Sequence, residues 1–86
     1  MSLSQRFSYT NETNEPVRLL LEPWAEQYVI QHGQKVDVLV TITEEASDGV
    51  IEFVQESDML IIYAYTGTVI SLSTNGKELP PDTQIG

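Results

Sequence analysis

The chain has 86 residues, 41% hydrophobic and 20% charged, which describes one folded globule rather than two cored units or a disordered segment. It has no cysteine, so disulfides, thiolate nucleophiles and Cys-ligated metal sites are excluded, and packing or self-association must stabilise a small core. Its net charge of −9 repels nucleic-acid phosphates and anionic membranes and is complemented by a basic protein surface.

In chain order, Met1–Arg6 shows no apolar signal-type region. No apolar run is long enough to span a bilayer; the longest include Met59–Ile62. With the missing cysteines, this gives a cytoplasmic expectation. The segment Arg6–Thr10 alternates, with Phe7 and Tyr9 on one face, and Asn11–Pro16 reads as a turn. Within that turn Asn11-Glu12-Thr13 is formally a glycosylation sequon, read here as a surface turn only. Val17–Leu21 is a strand ended or bent by Pro23, and Pro23–Gln27 has room for a single helical turn. Tyr28–Ile30 is a short strand, and His32-Gly33-Gln34 turns into the next. There Val36, Val38, Val40 and Ile42 share one face, opposite Asp37, Leu39, Thr41 and Thr43.

Glu44–Gly49 is polar and ends in the hairpin signal Asp48-Gly49. The strand Val50–Val54 follows, then a turn at Glu56–Asp58. Met59–Tyr65 is the most apolar strand, with both faces largely apolar, and is the best candidate for a central position, or for a sheet whose outer face packs on another subunit. Val69–Ser73 leads into Asn75-Gly76, the strongest hairpin turn in the chain. Pro80-Pro81 stops regular structure, and residues 80–86 are expected to form a loose C-terminal tail. The pattern predicts a single all-β domain over residues 1–86. Its expected fold is an antiparallel sandwich or small barrel of about seven to eight short strands.

The parts that catalysis needs are missing. His32 is the only histidine and is best read as a solvated turn residue, so no usual zinc or iron site can form. Glu44, Glu45 and Asp48 do not follow the calcium-loop spacing. There is no Gly-x-Ser-x-Gly elbow and no phosphate-cradling glycine loop, and sequence alone does not bring two of the carboxylates into one cleft. The expectation is a non-enzyme with no cofactor and no metal.

The densest segment is Leu19–Tyr28, which holds the only tryptophan beside a proline. Trp and Tyr combine apolar area with a polar tip and anchor interfaces, and Pro23 limits the entropy lost on binding. Pro23, Trp24, Glu26 and Tyr28 are therefore the predicted interaction residues. The competing reading makes Trp24 a plug over one end of the fold, since a domain this small needs every large aromatic for burial.

Leu21-Glu22-Pro23-Trp24-Ala25-Glu26-Gln27-Tyr28, followed by Gly33, resembles a segment of small bacterial β-rich proteins. Their pattern runs Leu-Glu-Pro-Trp-Gly-Glu-x-Tyr, then a short spacer and Gly. Ala25 stands where that pattern has glycine at a tight bend, and the resemblance implies a fold but no activity. The run Glu26–Gly33 is also similar to the Glu-x-x-Tyr-Val-Leu-x-Gly segment of cupins, here without the metal-binding histidines that precede it. Three functions follow as expectations. The first is a non-catalytic module that binds a protein or itself. The second is a small-ligand, cupin-like barrel with Phe53, Tyr63 and Tyr65 around a cavity. The third is an acidic mimic that occupies a basic surface.

Overall fold

The computed structural model describes residues 3–42, 51–65 and 67–85. The expected turn at 44–49, with Glu44, Glu45 and Asp48, lies outside them. The strands are β1 (Leu3–Thr10), β2 (Val17–Glu22), β3 (Glu26–Ile30), β4 (Lys35–Ile42), β5 (Glu52–Glu56), β6 (Met59–Tyr63), β7 (Thr68–Thr74), β8 (Lys77–Glu78) and β9 (Gln84–Ile85). They form two sheets, ordered β1-β4-β7-β8 and β5-β6-β2-β3-β9. The molecule is an all-β sandwich and not a closed barrel, so both sheets keep edges.

Alternation accounts for the core. Val36, Val38 and Val40 of β4 and Thr68, Ile70 and Leu72 of β7 face inward from the first sheet. Val17, Leu19 and Leu21 of β2, Tyr28 and Ile30 of β3, and Leu60 and Ile62 of β6 meet them from the second. The outward residues of the two sheets differ. Those of the first are Ser- and Thr-rich, whereas Leu20, Val54 and Ile61 lie side by side across the second. β6 lies between β5 and β2 rather than at the centre, and β2 is the central strand of the five.

Several expectations change. Not every pairing is antiparallel: β2 runs parallel to β6, and β3 parallel to β9. β6 enters the sheet from the β5 hairpin rather than from β2, so its direction is set by β5. No helical turn forms at 23–27. Ala25 takes a left-handed φ of 58°, which reverses the chain, and β3 begins at Glu26. Residues 80–85 are not a loose tail. The amides of Asp82, Val29 and Gln31 donate to Gln27, Thr83 and Ile85 carbonyls, and Ile85 is buried. Pro80-Pro81 ends one element, and the chain then crosses to the other sheet. At Asn75-Gly76 both φ values are positive, 53° and 81°, as the hairpin signal requires.

Asn11 is also not a surface residue: it is 0% exposed. Its Nδ2 donates to the carbonyls of Glu15 and Ile30, each at 2.8 Å, and its Oδ1 accepts from the Thr13 amide at 2.9 Å. The Thr13 hydroxyl lies 2.6 Å from the same Oδ1. Asn11 is a buried polar joint between the end of β1 and the end of β3, and an amide so engaged is closed to glycosylation in the folded state.

Candidate interaction site

The candidate site occupies the end of the sandwich where β2 turns into β3 and β6 leads toward β7. Leu21 pairs with Glu26 across the first hairpin, and its turn holds a cis Glu22–Pro23 bond and Ala25. Ala25 adopts the left-handed conformation at this bend, which a residue with a Cβ accepts at a cost of about 1 kcal/mol. The Ala64 amide donates to the Glu22 carbonyl at 2.8 Å, which ties the two connections together. The β6–β7 connection is braced in turn, with the Tyr65 amide donating to Thr68 Oγ1 at 3.2 Å.

This framework projects Trp24 outward. Trp24 is 41% exposed and, with Pro23, Ala64, Tyr65 and Thr68, lines an open cleft of about 440 Å³. Tyr63, also exposed, lies on the outer face beside Glu22 and Glu52. The electrostatics of this end are one-sided. Glu22, Glu26 and Glu52 are here, whereas Arg18, Lys35 and Lys77 begin their strands at the opposite end and Arg6 sits mid-strand. Among the described residues, Glu22 Oε1 is buried and accepts no hydrogen bond.

Of the four residues singled out by sequence, Pro23 and Trp24 are exposed and adjacent. Glu26 and Tyr28 point inward with Ile30, and Tyr28 is only 2% exposed. The Tyr28 hydroxyl donates to Glu26 Oε1 at 3.4 Å. Burial, with the negative charges of Glu26, Glu78 and Asp82, pushes its phenol up to about 12. Tyr28 is thus a core residue, and the accessible surface is formed by Pro23, Trp24 and Tyr65. His32 is exposed at its turn, with Nδ1–H donating to the Thr13 carbonyl. Among the described residues no three His, Cys, Asp or Glu side chains cluster so as to hold a metal ion.

Sequence reasoning set Phe53 beside a cavity with Tyr63 and Tyr65, but register puts Tyr63 on the outer face, and Phe53 instead meets Phe7 edge to face with ring centroids 6.2 Å apart. Alternation places each on an inner face, but nothing in the sequence shows that β1 and β5 are neighbours across the two sheets.

No family model, curated protein or solved structure matches the chain. The functional reading therefore rests on the residues themselves.

Proposed function

We propose that the protein is a non-catalytic interaction module that docks a basic segment of a partner protein at the Trp24 end. The observation that supports this most directly is Trp24, held half exposed on a cleft by a hydrogen-bonded turn. An indole that stays in water in so small a domain is not being used for its core. Around it the local charge is acidic, and a guanidinium or ammonium group complements both the carboxylates and the aromatic faces. The turn needs little further ordering on binding, which lowers the entropic cost.

The test is calorimetric titration with an arginine-rich peptide, alongside Trp24 emission. We expect free Trp24 to be readily quenched by acrylamide, and a saturable emission change that weakens as salt rises. The Trp24→Ala variant and the Glu22→Gln, Glu52→Gln double variant should each weaken binding about tenfold, or about 1.4 kcal/mol, while remaining folded. Binding that is indifferent to both variants, or absent altogether, would overturn the assignment.

A further inference from the structure

A second concavity lies on a different part of the molecule, between the edge strands β1 and β5. It is a slot of about 410 Å³ whose walls are Phe7, Tyr9 and Phe53 and whose floor is Val38 and Leu60, with the Gln55 amide at its rim. It runs toward the end of the sandwich remote from Trp24, since Gln55 pairs with Leu60 near the start of β6. Phe7 and Phe53 face inward by register yet are 43% and 47% exposed. Two phenyl rings that face the interior stay nearly half exposed and meet each other edge to face.

From this geometry we infer that the slot binds one small, uncharged aromatic molecule bearing a single hydrogen-bond donor. Size sets the first limit. A cavity of about 150 Å³ suffices for benzene, and small-molecule sites begin at about 300 Å³, so the slot takes a fused-ring molecule. Charge sets the second. Among the described residues no ionisable acid or base other than the Tyr9 phenol lines the slot, burial raises that phenol further, and the −9 chain repels anions. Shape sets the third, because the 71° angle between the two rings leaves a phenyl face and a phenyl edge for a planar guest. Gln55 sets the last. Its Nε2 donates to the Met59 carbonyl at 3.3 Å, which orients Oε1 as an acceptor.

The probe is 2-naphthol, with naphthalene, the anion 2-naphthoate and a long-chain alcohol as comparisons. Binding is followed by chemical shifts of Phe7, Tyr9, Phe53 and Leu60 and by calorimetry. We expect one saturable site for 2-naphthol, with 2-naphthoate and the alcohol at least tenfold weaker. Gln55→Leu, at an exposed position, should weaken 2-naphthol severalfold and leave naphthalene unchanged. Phe53→Ala, checked for a native-like spectrum, should abolish both. The inference is overturned if 2-naphthoate or the alcohol binds as well as 2-naphthol, or if the shifts fall elsewhere. It is also overturned if the free protein sediments as a dimer that Phe53→Asp dissociates, because the slot is then filled by a second copy.

Discussion

On one lateral side of the sandwich, Tyr28, Leu79 and Ile85 fill the gap between the sheets where β8 and β9 lie. On the other, where β1 faces β5, Phe7 and Phe53 touch edge to face and stay half exposed. Both sides start from the same alternating strand pattern. The first is sealed because the chain returns after Pro80-Pro81 and lays two residues along β3. No strand in the described residues lies outside β1 or β5. The inward direction of a side chain is thus a property of its strand, whereas its burial depends on whether another segment covers the edge.

The comparison can be broken most severely on the sealed side. Ile85→Asp places a charge in the core and detaches β9, and should cost about 3–5 kcal/mol, read as a fall in the urea midpoint. Asn11→Ala comes next, because Asn11 joins the end of β1 to that of β3. It leaves the Ile30 and Glu15 carbonyls without their donor and should cost about 2–4 kcal/mol by the same measurement. Tyr28 gives the sealed side a pH signature. With its phenol at about 12 against an ordinary 10, the neutral form is favoured in the folded state. Its contribution, of roughly 2–3 kcal/mol, is present below pH 10 and lost as pH rises from 10 to 12. Stability measured against pH should show that decline, and Tyr28→Phe should make it shallower, leaving the smaller part that the raised Tyr9 phenol contributes. On the open side, Phe7→Ala and Phe53→Ala should each cost about 1–2 kcal/mol, less than a buried phenylalanine, with a coupling of about 0.5–1.5 kcal/mol in a double-mutant cycle. Ala25→Gly touches neither side and should raise stability by about 1 kcal/mol.

Much of the fold was legible because period-two alternation marks strands directly. The inward valines of β4, the apolar β6 and the Asn75-Gly76 hairpin are where the sequence places them. What was not legible depends on long-range pairing. Nothing local to Gln84-Ile85 announces a strand, since two residues form one only because β3 offers an edge. Asn11 reads as turn-forming because that is its local propensity, and only the returning Ile30 carbonyl explains its burial. Tyr28 alternates with Ile30, which does mark an inner face, but its hydroxyl and its neighbour Trp24 suggest a surface. For the candidate site, Pro23 and Trp24 were visible as residues, whereas Tyr65 joined them only through the approach of the β6–β7 connection.

The pairing of β3 with β9 also bears on how the chain is made. The partners lie about 55 residues apart, so at typical synthesis rates of about 5–20 residues per second the edge of β3 emerges roughly 3–10 s before the strand that covers it. During that interval the apolar row ending in Tyr28 and Ile30 borders an unpaired backbone, which makes the nascent protein most open to mispairing on the side that is best closed in the finished one.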